Sequence, residues 1–233
     1  MKTRLESQPS KPGLSRQVVA EALGTLLLVA AVVGSGIMGE QLAGGNVAIA
    51  LLANTFATSA ILIILILTFG PLSGAHFNPV VSLVMALRNE LPWREFPVYV
   101  LAQLIGGIAG VILAHGMFAL PLITLSLHDR SGLAKLLSEA VATFGLVGVI
   151  LSCATHRKEA IPYAVAAYIG SAYWFTASTS FANPAVTVAR TLTVTFSGIR
   201  WVDAPGFILA QIGGALAAML LFGWLFPRAS KYA

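Results

Sequence analysis

The 233-residue chain is 57% hydrophobic and only 10% charged, with a mean hydropathy of +0.85. A soluble domain carries roughly 25% charged residues, so this composition cannot coat a water-facing surface and excludes both a soluble globular enzyme and a disordered protein. The one cysteine, Cys153, excludes a disulfide framework and a Cys-based zinc cluster, and the net charge of +5 reads as the cytoplasmic loops of a membrane protein, with no nucleic-acid partner expected.

A bilayer core about 30 Å thick needs about 20 apolar residues of helix. Residues 1–15 form an N-terminal tail containing Lys2, Arg4 and Lys11, and Arg16 follows. The first apolar span, 18–38, is too long for a signal-peptide core and has Glu21 near its start, so no cleavage is expected. Further spans follow at 47–69, 96–120, 132–151, 161–180 and 205–226. Two apolar pieces, 77–87 and 182–192, are too short to cross, and each contains an Asn-Pro pair. Their length suits re-entrant half-helices. With six crossings, Lys2, Arg4, Lys11, Arg16, Arg88, Arg94, Arg157, Lys158, Arg228 and Lys231 share one side, against Arg130, Lys135, Arg190 and Arg200 on the other. That bias predicts cytoplasmic termini.

The chain repeats itself. Glu21-Ala22-Leu23-Gly24-Thr25 is echoed by Glu139-Ala140-Val141-Ala142-Thr143, Phe77-Asn78-Pro79-Val80-Val81 by Ala182-Asn183-Pro184-Ala185-Val186, and Leu101-Ala102-Gln103 by Leu209-Ala210-Gln211. The order is the same in both halves, about 16–126 and about 131–228, of what reads as a single domain over 1–233. Three spans per half is an odd number, so the copies enter the membrane from opposite sides. Inverted repeats of this kind place their site near the midplane between the halves.

Asn is a favoured N-cap and Pro is favoured at the first helical position. Asn78-Pro79 and Asn183-Pro184 therefore predict two helix starts meeting at the membrane centre. Each start carries roughly half a positive charge, which repels a cation, while the Asn amides can donate to a neutral molecule. Upstream, Ser73, Gly74, Ala75, His76 and Phe77, and Thr179, Ser180, Phe181 and Ala182, are expected to run extended and line a pore with carbonyls. Glu21 and Glu139 are the only acidic residues well inside spans. With no basic residue close in sequence to complete a relay, they read as structural braces. His115, His128 and His156 show no metal-ligand spacing, so neither metal nor cofactor is expected, and Cys153 reads as an inert residue near the end of a span. Gly106, Gly107, Gly110, Gly213 and Gly214 read as helix-packing positions.

These residues resemble the major intrinsic protein family, the aquaporins and aquaglyceroporins. Ser73-Gly74-Ala75-His76-Phe77-Asn78-Pro79-Val80 is similar to its first signature, Asn183-Pro184-Ala185 to its second, and the Glu-x-x-x-Thr patterns at Glu21 and Glu139 also match. The resemblance implies an all-α membrane protein, a right-handed bundle of six transmembrane helices and two re-entrant half-helices, assembled as a homotetramer in membrane lipid. It also implies that Glu21 and Glu139 brace the re-entrant loops. The family's outer filter usually holds an arginine three residues after the second Asn; here Val186 stands there. Its partners, counted from the family pattern, are Thr58, Ser171 and Ser180. That ring is small and uncharged, wide enough for solutes larger than water. Val80, where the family usually has Ala, is expected to add bulk beside the Asn pair. A member lacking this arginine resembles the aquaglyceroporin-like channels of bacterial arsenic-resistance operons, which implies passive efflux of arsenous acid, a neutral trihydroxy solute near glycerol in shape.

The reading is therefore a passive bacterial inner-membrane channel for small neutral solutes and water. A plain water or glycerol facilitator is its nearest rival. An ion-coupled transporter would need more buried ionisable groups than two glutamates, and an intramembrane enzyme would need a nucleophile with its base or a metal cluster, which the sequence does not show.

Overall fold

The computed structural model describes residues 12–226. Lys2, Arg4, Lys11, Arg228, Lys231 and most of the expected N-terminal tail lie outside the described residues. Eight α-helices follow in order: α1 Leu14–Leu42, α2 Val47–Ser73, α3 Pro79–Leu87, α4 Phe96–Met117, α5 Leu133–His156, α6 Ile161–Phe175, α7 Pro184–Arg190 and α8 Ala204–Leu225. No strand occurs among the described residues. Five helices, α1, α2, α4, α5 and α8, are each long and apolar enough to cross a membrane.

The expected span at 161–180 is helical only through Phe175, as the 15-residue α6. At 1.5 Å per residue this covers about 22 Å, short of the bilayer core. The chain leaves the helix at Thr176, which is extended (φ −111°, ψ 137°). Thr179 and Ser180 then take left-handed φ values of 62° and 50°, which no helix can continue. The remaining depth is covered by the loop leading to α7. Tracing the crossings, residues 74–78 dip in from the side where α1 starts and α8 ends, and residues 176–183 dip in from the opposite side. These are called the terminus side and the far side below.

Close approach between helices rests on glycine. A Cβ at Gly106 of α4 would lie 2.3 Å from the Ala22 carbonyl oxygen of α1, and one at Gly110 would lie 2.5 Å from that of Leu26. In the second half a Cβ at Gly214 of α8 would lie 2.1 Å from the Ala140 carbonyl of α5. Gly107 is tight against Ala189 of α7, whereas a Cβ at Gly213 meets nothing within 4 Å, so Gly213 is not one of the packing positions. Gly24 serves a different need, because a Cβ there would sit 2.0 Å from the Phe77 ring. The re-entrant loop thus packs directly on α1. Outward, Leu52, Phe56, Leu209, Leu220 and Trp224 are exposed, an apolar surface that suits lipid rather than water. Trp93 and Trp201, also exposed, lie beyond helix ends, where the aromatic belts of membrane proteins form.

Candidate functional site: a central cavity with two asparagine caps

Each re-entrant helix starts as its sequence dictates. Asn78 is extended (φ −153°), its side-chain oxygen accepts from the Val80 amide at 3.0 Å, and Pro79 occupies the first turn. Asn183 (φ −158°) accepts from the Ala185 and Val186 amides at 2.9 and 3.3 Å, with Pro184 following. The amide nitrogens reach across the repeat. Asn78 Nδ2 donates to the Ala182 carbonyl and Asn183 Nδ2 to the Phe77 carbonyl, both at 2.8 Å. Each side-chain amide has two N–H groups, so one fastens the opposite loop and one remains.

The loops before the caps are not extended. Ala75, Phe77, Thr179, Ser180 and Ala182 all have φ between 47° and 62°, a strained conformation for residues with a Cβ. Two carboxylates hold it. Glu21 Oε1 accepts from Ser73 Oγ (2.6 Å) and the His76 amide (2.9 Å), and Oε2 from the Phe77 amide (2.7 Å) and Gln103 Nε2 (2.8 Å). Glu139 Oε1 accepts from the Phe181 amide (2.8 Å), and Oε2 from the Ala182 amide (2.8 Å) and Gln211 Nε2 (2.6 Å). Gln103 and Gln211 also donate to Ser82 Oγ and Thr187 Oγ1, on the two short helices, at 2.9 Å. Both glutamines stood in the repeated Leu-Ala-Gln motif. Their bracing contacts were not legible there because each glutamate lies more than 70 residues away.

A cavity of about 290 Å³ runs past the caps, lined from the terminus side by Glu90, Ala154 and Lys158 and from the far side by Thr58, Tyr173 and Arg190. Gly74, Ala75, His76, Phe77 and Asn78 border it, as do Ser180, Phe181, Ala182, Asn183 and Val186. His76 is also held from behind, its Nδ1 lying 3.0 Å from Ser82 Oγ and its ring tilted against Tyr99 at 5.4 Å. Pro79, Val80 and Pro184 border a separate apolar crevice with Leu83, Phe96 and Ile212, and Ala185 backs onto Gly107. The bulk of Val80 therefore points away from the channel and does not narrow it at the Asn pair.

Of the four expected filter positions, Thr58, Ser180 and Val186 line the far half of the cavity; Ser171 does not. Ser171 is exposed and its hydroxyl donates back to the Ala167 carbonyl at 2.9 Å. The stripe of α6 that faces the cavity is Ile161, Val165, Ile169 and Tyr173, a spacing of four. Ser171 lies two residues, about 200°, off that stripe. Tyr173 takes its place, and its hydroxyl donates to Thr58 Oγ1 at 3.3 Å. The far half of the cavity thus includes an aromatic ring and is not lined by small side chains alone. The four-residue period of α6 carried the signal; counting along a family pattern missed it.

The segment between α4 and α5 is fastened to the loop that follows α7. His115 Nε2 lies 2.8 Å from Thr193 Oγ1, the Thr124 and Ser126 amides donate to the carbonyls of Leu192 and Thr191, and the Arg130 amide donates to Asp203 Oδ2. Arg200 bonds Asp203 through Nε and Nη2 and pairs with Asp129. Its pKa is raised chiefly by the Asp203 hydrogen bonds, and that of Asp129 is lowered chiefly by hydrogen bonds from Ser131. Burial first, then neighbouring Arg130, lowers the pKa of His128.

The chain is similar to known proteins over most of its length. The family model described as "Major intrinsic protein" matches residues 8–177. The chain is 57% identical over 216 residues to "Aquaglyceroporin AqpS" of Rhizobium meliloti (strain 1021), covering 93% of this chain and 92% of that protein. It is 30% identical over 213 residues to "Aquaporin NIP2-1" of Oryza sativa subsp. japonica, covering 88% of this chain and 70% of that one. Its fold is similar to the X-ray structure of the aquaglyceroporin from Plasmodium falciparum, with a TM-score of 0.68, 20% identity, and coverage of 92% and 96%. The chain belongs to the major intrinsic protein family, whose members are membrane channels and not enzymes, and within it to the aquaglyceroporins.

Proposed function

We propose that this aquaglyceroporin is a passive channel for small uncharged polyhydroxy solutes whose biological task is arsenite efflux from a bacterial cell. It acts as a homotetramer in the inner membrane with both termini cytoplasmic. The observation that carries the reading is the far constriction. Val186 and Ser180 stand where a bulky cation would otherwise narrow the opening, and Thr58 and Tyr173 bring hydroxyls to it. A neutral trihydroxy molecule such as arsenous acid or glycerol can exchange water for these groups and for the remaining N–H of Asn78 and Asn183. Gly74, Ala75 and His76 on one side and Phe181 on the other border the path between caps and mouths.

The test is stopped-flow light scattering on proteoliposomes with water, glycerol and arsenite. All three should pass. Val186→Arg adds a guanidinium to the constriction and should slow glycerol and arsenite about tenfold, equal to about 1.4 kcal/mol of added barrier, with water affected least. Thr58→Phe should act the same way by bulk alone. Arsenite flux no greater than in protein-free vesicles, with glycerol passing freely, would leave a plain water and glycerol facilitator.

A further inference from the structure

We infer that Arg190, backed by Arg130 across the Phe181 ring, is the fixed cation barrier of the far half of this channel, one helical turn outward from the position at which Val186 stands. The inference deepens the channel reading and rests on it, but not on arsenite as the solute.

The argument starts from the repeat. Three residues after each cap asparagine both halves carry valine, Val81 and Val186. Seven residues after it the halves part company: the first has Met85, the second Arg190. All four line the cavity, so the inverted repeat is near-symmetric in shape but not in charge. Arg190 is 2% exposed. Its Nε donates to the Ser197 carbonyl, while Nη1 is buried without a hydrogen-bond partner.

A second cation joins it. Arg130, from the segment between α4 and α5, donates through Nε to the Gly198 carbonyl (2.7 Å) and through Nη1 to the Ser178 carbonyl (3.1 Å) and Thr179 Oγ1 (3.3 Å). The guanidinium carbons of Arg130 and Arg190 lie over the Phe181 ring, 4.9 and 3.4 Å from its centroid. A ring face attracts cations, so Phe181 holds two like charges near one point. Among the described residues neither guanidinium has a carboxylate in salt-bridge range. Asp129 and Asp203 pair with Arg200, and Glu139 is engaged by the Phe181 and Ala182 amides and by Gln211. A buried guanidinium without a counter-charge is expensive and, inside a membrane, marks a functional position. Its field, offset only in part by the Glu139 carboxylate, which interacts with both guanidinia without pairing with either, raises the barrier to a permeating cation, while a neutral solute meets no such barrier.

The test is a Na⁺ tracer leak and glycerol flux measured on the same proteoliposomes. Arg190→Met, which installs the residue of the first half, should raise the ratio of Na⁺ leak to glycerol flux about tenfold, and Arg190→Lys should keep that ratio near wild type. Glycerol-conducting Arg190→Met vesicles that leak no more than wild type overturn the inference, as does an equal leak from Arg190→Lys, which would assign the effect to packing. If Arg190→Met does not assemble, Arg130→Gln decides: a leak raised about threefold supports the pair, and a wild-type leak overturns it. Wild-type vesicles without glycerol flux would instead refute the channel reading itself.

Discussion

Glu21 accepts four hydrogen bonds and Glu139 three, all from buried or part-buried groups. Each donor left unpaired in a buried site costs about 1–3 kcal/mol. Glu21→Ala and Glu139→Ala should therefore sharply reduce the yield of assembled protein, Glu21→Ala at least as much, without changing the solute preference of what survives. Size-exclusion chromatography in detergent followed by flux measurement checks this; normal assembly with altered selectivity would place the carboxylates in the permeation path. At this scale the sequence was most informative where one residue acts on its immediate neighbours. The Asn caps, the prolines and the paired glutamates were all readable from local chemistry. Tyr173 and Arg190 were not, because whether a side chain meets the cavity depends on the rotation of its helix and on what faces it.

The helices show the same division between local and distant causes. Their existence followed from apolar length, but the early end of α6 did not, because the loop after Phe175 is held in its left-handed turns by Glu139 more than 40 residues earlier in the chain. Glycine positions were legible as a class and separable only in three dimensions. Gly214 and Gly213 are adjacent on α8, yet only the first meets a neighbouring backbone. Gly214→Ala must push α8 off α5 and should cost about 1–3 kcal/mol, whereas Gly213→Ala should be neutral or slightly favourable through helix propensity. Thermal aggregation midpoints in detergent separate the two, and equal midpoints would mean that α5 and α8 can slide apart freely.

For the whole molecule, the cavity is continuous past both caps, and the described residues offer few buried ionisable groups through which an ion could be coupled to a solute. Flux should rise linearly with the solute gradient and be indifferent to Na⁺ and proton gradients. Saturable uptake abolished by an uncoupler would favour a transporter over a channel. The architecture was legible from the inverted repeat because the copies keep their motifs in register, while the difference between Met85 and Arg190 acquires meaning only when both are seen to border one cavity.

The reciprocal fastening of Asn78 to Ala182 and of Asn183 to Phe77 has a consequence for biosynthesis. The partners lie 104 and 106 residues apart. At ribosomal speeds of about 5–20 residues per second, the Asn78 amide and the Phe77 carbonyl wait about 5–20 s for their partners after leaving the ribosome. During that interval the first three spans sit in the bilayer with an open seam at mid-depth, and only the last third of the chain can close it.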